Sequence, residues 1–177
     1  GSLLRVEPGE IDVEQFVNLL ERGREQLASG DARGAARTLR EALELWRGSP
    51  LSDLAYEAFT ASEIARLEEL RLAALEERIE ADLRLGRQAE LVPELESLVR
   101  DHPLRERLRG QLMLALYRAG RQAEALDAFH RGRTMLVEEL GLEPGPGLQE
   151  LERAILNHDP QLEAITPASA YPEIRRL

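Results

Sequence analysis

The chain has 177 residues, of which 33 are Leu and 22 Ala against 16 Val, Ile and Thr together, a bias toward helix over sheet. All 23 basic residues are Arg, Lys and Cys are absent, and 33 Asp plus Glu leave a net charge of −10. This excludes Walker-type phosphate loops, Schiff-base lysines, disulfides, thiolate zinc sites and thiol nucleophiles, and it opposes non-specific binding to nucleic acid.

Gly1-Ser2 reads as the scar of a cleaved expression tag, and Leu3-Leu4-Arg5-Val6 as a short strand ended by a turn at Glu7-Pro8-Gly9-Glu10. Helical periodicity starts with Asp12 as N-cap and places Val13, Phe16, Val17, Leu20 and Leu27 on one face. Ser29-Gly30-Asp31 closes that helix and caps a second, whose face is Ala35, Leu39, Ala42, Leu43 and Trp46, with Trp46 expected in the core. Gly48-Ser49-Pro50 stops it, and residues 51–60 read as a loop. Thr60 or Ser62 then caps a long helix running to about Leu85. Its two apolar rows, Leu67-Leu70-Ala74 and Leu72-Leu75-Ile79-Leu83, predict packing on two sides.

After Gly86, the segment Arg87 to Asp101 points Leu91, Leu95 and Leu98 inward, and Pro93 either bends the helix or marks its regular start near Val92. Past His102-Pro103, the stripe Leu104, Leu108, Leu112, Ala115, Leu116 and Ala119 ends at Gly120, and Leu126, Phe129, Leu136 and Leu140 end at Gly141. Glu143-Pro144-Gly145-Pro146-Gly147 is a rigid turn before a short helix marked by Leu148, Leu151 and Ile155. Periodicity is lost after Asp159-Pro160, and residues 159–177 read by composition as a disordered linker or tail, with docking on a groove, its own or a neighbour's, as a second expectation. The prediction is an all-α chain of about seven helices. No apolar run reaches membrane-spanning length and no signal peptide opens the chain, so a cytoplasmic location is expected.

The pentapeptide Gly86-Arg87-Gln88-Ala89-Glu90 recurs unchanged at Gly120-Arg121-Gln122-Ala123-Glu124, 34 residues on, which is the tetratricopeptide period. Five, nine and twelve residues beyond Gly30, Gly86 and Gly120 stand Ala35, Leu39 and Ala42, then Leu91, Leu95 and Leu98, then Ala125, Phe129 and Gly132. Glycine permits the tight inter-helix turn, and small or apolar residues let paired helices approach. The fold class expected is therefore a right-handed array of antiparallel helix pairs, a tetratricopeptide-like superhelix.

Two stretches carry a more specific likeness. The first is Pro103-Leu104-Arg105-Glu106-Arg107-Leu108 followed by Gln111 through Leu126; the second is Glu138-Glu139-Leu140-Gly141-Leu142-Glu143-Pro144-Gly145-Pro146. Together with Leu67-Glu68-Glu69-Leu70-Arg71 and Ala81-Asp82-Leu83, they closely resemble the bacterial transcriptional activation domain of the Streptomyces antibiotic regulatory protein family. The resemblance runs from about Asp12 to Ile155, so residues 12–158 are expected to form that domain. Residues 1–11 would then hold the tag scar and the last strand of a winged-helix DNA-binding domain. The resemblance implies an actinobacterial transcriptional activator, a regulator of antibiotic biosynthesis. It further implies self-association as a homodimer and recruitment of RNA polymerase subunits or sigma factor, with no DNA binding by this segment alone and no membrane contact. The alternative is a ligand-sensing helical-repeat domain that adjusts an attached DNA-binding domain. A buried apolar cavity with convergent polar groups would favour the sensor, and an open Arg-lined groove the docking module.

No enzyme constellation is present, and no cofactor is expected. His102, His130 and His158 are evenly spaced, but each lacks a second ligand at metal-site spacing, so no metal site is expected. Glu80–Arg84 and Asp127–Arg131 read as solvated i,i+4 pairs. Tetratricopeptide groove positions carried onto the helix from Leu104 to Ala119 select Arg107, Gly110, Leu114, Tyr117 and Arg118. An Arg pair beside a Tyr can grip an acidic or C-terminal peptide by bidentate bonds and stacking.

Overall fold

A computed structural model describes residues 8–46 and 60–163. The strand expected at residues 3–6, the stop at 48–50, the loop at 51–59 and the tail from 164 lie outside the described residues. Among the described residues there are seven α-helices: α1 (Pro8–Ala28), α2 (Ala32–Glu44), α3 (Ala61–Arg84), α4 (Gln88–Asp101), α5 (Glu106–Arg118), α6 (Gln122–Leu140) and α7 (Pro146–Leu156). A 3-10 turn, Pro160–Leu162, follows. The fold is all-α and tetratricopeptide-like, with consecutive helices packed as antiparallel pairs.

Local chemistry explains most helix ends. The Asp31 carboxylate accepts from Gly34 N at 2.9 Å and caps α2. Of the two candidates for α3, Thr60 is the cap: its Oγ1 accepts from Glu63 N at 3.3 Å and donates to the Glu63 carboxylate at 2.9 Å. Helix α1 begins at Pro8, four residues before the expected Asp12, because proline's fixed φ and missing N–H suit a first helical turn. Helix α4 is already regular at Gln88, so Pro93 lies inside it.

The repeat glycines close their helices identically. Gly30, Gly86 and Gly120 have φ of 89°, 77° and 80°. In each turn the glycine N–H reaches the carbonyl three residues back and the next N–H the one five back: Leu27 and Gln26, Leu83 and Asp82, Tyr117 and Leu116. These are paired Schellman-type bonds, which favour glycine because the turn needs a left-handed residue. A fourth copy ends α7, where His158 takes φ 51° and the Ile155 and Ala154 carbonyls accept in the same pattern.

The chain forms two compact units, with the boundary after Ala81 inside α3. In the first, α1 packs on α2 around Phe16, Leu20, Leu27, Ala35, Leu39 and Ala42. An added Cβ at Gly23 would stand 2.5 Å from Leu39, so glycine lets these helices close up. Trp46 is half-buried, its ring 5.7 Å from Phe16 edge-on, with Arg71 stacked 5.8 Å from its centroid. Of the two apolar rows of α3, Leu67, Ala74, Ile79 and Leu83 are buried and Leu70, Leu72 and Leu75 half-buried, and every residue from Arg78 to Arg84 is buried.

In the second unit α4 packs on α5, α5 on α6, and α7 on both α5 and α6, around Leu95, Leu108, Met113, Phe129, Leu148, Leu151 and Ile155. The expected stripes shift at their ends. Leu104 precedes α5 and is exposed, Ala119 caps it on the surface, and Leu140 in the last turn of α6 is 53% exposed. The turn after α6 is clamped three ways. Arg133 forms a bidentate pair with Glu143 at 2.7 and 3.1 Å, Gly145 N donates to Glu106 at 3.0 Å, and Gln149 donates to Pro144 O at 2.6 Å.

Candidate functional site

The structure distributes the expected α5 residues between interior and surface. Leu114 and Tyr117 are buried, Gly110 is covered, and Arg107 and Arg118 are half-buried. Arg118 lies against the chain's own backbone: Nε donates to Leu162 O at 2.6 Å and an Nη to Leu83 O at 2.8 Å. It therefore satisfies a carbonyl at the C-terminus of α3, where a cation is favoured by the helix dipole, and anchors the 3-10 turn after α7. The Tyr117 hydroxyl sits 3.4 Å from His158 Nδ1, and burial followed by the carboxylates of Glu163 and Asp159 raises its pKa above the usual tyrosine value. Leu162, in the 3-10 turn after α7, is buried.

Glu80 and Arg84, expected as solvated partners, are both buried because that stretch of α3 is covered on all faces. Asp127 and Arg131 do form an exposed pair at 2.8 Å. His130 is 3.8 Å from Glu152 and His158 is a turn residue; among the described residues no His, Asp and Glu converge as metal ligands would.

A different arrangement emerges between α4, α5 and α6, an open groove of about 480 Å³. Its apolar wall comes from Val99, Leu112, Leu116 and Met135, and Arg109 lines its base. Arg109 is only 6% exposed. Its guanidinium donates to Ala128 O at 2.9 Å and to Pro103 O at 3.0 Å, tying α5 to α6 and to the α4–α5 turn. The side chain fits because residue 132 is glycine: an added Cβ there would overlap Arg109 Cδ and Nε. Burial first, and then Arg131, lower the Arg109 pKa, although a guanidinium remains a cation under all ordinary conditions.

The charges around the groove are unevenly paired. Glu124 is bound by Arg121 at 2.5 Å, Glu96 lies 3.8 Å from the same guanidinium, and Asp127 pairs with Arg131. Arg100 and Arg109 have no carboxylate partner among the described residues. Sequence reasoning missed Arg109 because it lies beside Leu108 on a helix read as simply amphipathic. The available signal was Gly132, which stands where the first repeat has Ala42 and so leaves room for a long side chain.

These features define a class, a helix-pair repeat module that presents an Arg-lined groove. The family follows from comparison with known proteins. Residues 11–156 match the family described as bacterial transcriptional activator domain, and the chain belongs to that family. It is 47% identical over 167 residues to regulatory protein DnrI of Streptomyces peucetius, covering 94% of this chain and 61% of that protein. It is 44% identical over 162 residues to regulatory protein AfsR of Streptomyces coelicolor, covering 92% of this chain and 16% of that protein. Among solved structures, Mycobacterium tuberculosis EmbR in complex with a low-affinity phosphopeptide superposes with a TM-score of 0.80 at 34% identity, over 98% of this chain and 45% of that one. The chain spans less than two thirds of these relatives. Its family is one of regulators of transcription, not of catalysts, and no helix among the described residues is long and apolar enough to cross a membrane.

Proposed function

We propose that this domain is the protein-interaction and activation module of an actinobacterial transcriptional regulator. It acts in the cytoplasm, self-associates as a homodimer, and contacts RNA polymerase subunits or sigma factor. It does not itself bind DNA; the net charge of −10 supports this. The observation that carries the docking reading over ligand sensing is the groove between α4, α5 and α6, which is open and lined by Arg100, Arg109 and Arg131. A sensor would instead enclose its ligand. The α5 residues Arg107, Leu114, Tyr117 and Arg118 belong to the same proposal in two roles. Arg107, on the half-buried surface, meets the partner, while Leu114, Tyr117 and Arg118 hold the face that presents it. The test is retention of purified polymerase, with and without sigma factor, on the immobilised chain, with light scattering for its mass in solution. Retention of polymerase and a mass of twice the chain support the proposal. A monomer that retains no polymerase refutes it.

A further inference from the structure

Arg109 is a buried cation whose guanidinium hydrogen-bonds to two backbone carbonyls and pairs with no carboxylate among the described residues. Removing a charge from water is costly unless a counter-charge meets it. Every carboxylate lining the groove is bound by Arg121 or Arg131, so Arg100 and Arg109 contribute two positive charges that nothing in the described chain neutralises. A guanidinium has five N–H donors, and Arg109 uses two of them on Ala128 and Pro103. The apolar wall of Val99, Leu112, Leu116 and Met135 runs alongside these charges.

We propose that this groove is the docking site for an acidic peptide segment of a partner protein, an Asp or Glu carboxylate seated between Arg100 and Arg109 and a flanking aliphatic side chain against Leu112, Leu116 and Met135. The planar carboxylate suits a guanidinium fork, and the aliphatic neighbour buries the wall. Its volume of about 480 Å³ lies in the range of pockets that hold short ligands. The inference rests on the docking reading above, yet its test needs no polymerase, so the two can fail separately.

The full 177-residue chain is applied to an array of hexapeptides carrying Asp or Glu among Leu, Ile, Met and Ala, beside a matched array with each acid replaced by its amide and a third with phosphoserine. Expected is binding to acidic members, weakened at least tenfold by the amide and at least tenfold by Arg100→Glu. Arg100 is exposed and outside the core, so that variant keeps the fold, which circular dichroism verifies. Arg109→Met, which keeps an apolar stem at the base of the groove, should lose the same discrimination between acid and amide. Equal binding of acid and amide arrays, absence of binding to every acidic member, unchanged binding by Arg100→Glu, or stronger binding to phosphoserine members would each overturn the proposal.

Discussion

Gly132→Ala is the sharpest perturbation of the groove. The new methyl would overlap Cδ and Nε of Arg109, whose guanidinium is fixed by bonds of 2.9 and 3.0 Å to Ala128 O and Pro103 O. The side chain cannot stay where it is; it must weaken both bonds or push α5 from α6. Overpacking a close contact costs about 1–3 kcal/mol, and a hydrogen bond to a charged group contributes roughly 1.5–3 kcal/mol, part of which survives a small shift. A net loss of about 2–3 kcal/mol is expected, which for a chain of this length lowers Tm by roughly 4–12 °C. Denaturant titration and calorimetry on Gly132→Ala, Arg109→Met and the double variant give the coupling between the sites. Arg109→Met gives up both bonds by itself, so the added methyl at residue 132 should cost little more in that background, because Met is flexible and can move aside. A Gly132→Ala loss under about 0.5 kcal/mol, or the same loss from Gly132→Ala in the Arg109→Met background as in wild type, would refute this account of the glycine.

Other consequences follow from the turns and clamps. Gly120→Ala meets no atom within 4 Å, so its cost is backbone strain at φ 80° alone, about 1–2 kcal/mol in a denaturant titration, and Gly120→Asn should lose less. Arg118→Met removes the bonds to Leu83 O and Leu162 O, costing about 1–3 kcal/mol, and should speed amide hydrogen exchange across residues 160–163. Arg133 holds the Glu143 carboxyl below the usual glutamate range through their hydrogen bond. Its carboxyl carbon should therefore titrate by NMR below an ordinary glutamate, and Arg133→Gln should return it. The sign follows from linkage: the pair supports the turn above glutamate's ordinary pKa and is lost as pH falls through the lowered one.

The repeat was legible because its glycines perform a backbone task no other residue performs as cheaply. Gly30, Gly86 and Gly120 mark three turns of one geometry, so an identical pentapeptide at the right spacing revealed the helix pairs. The fourth turn was hidden because His158 adopts the left-handed conformation without being glycine, held near Tyr117 and Gln122. Helix faces were read correctly where burial is one-sided, as at Phe16, Leu39 and Leu108. Periodicity misjudged Glu80 and Arg84, since a charged pair spaced for a solvated helix face looks the same when that face is covered. It also could not foresee that Arg118 would bind its own backbone, because hydrogen bonds to Leu83 and Leu162 depend on how distant segments meet. The groove required the third dimension: Arg100, Arg109 and Arg131 come from three helices.

Retention of RNA polymerase by the immobilised chain tests the central claim, a docking module, most directly. Wild type should retain holoenzyme, and Arg107→Glu should reduce retention at least several-fold while its circular dichroism shows the helical fold intact. A correctly folded wild-type chain that retains no more polymerase than blank resin would contradict the claim.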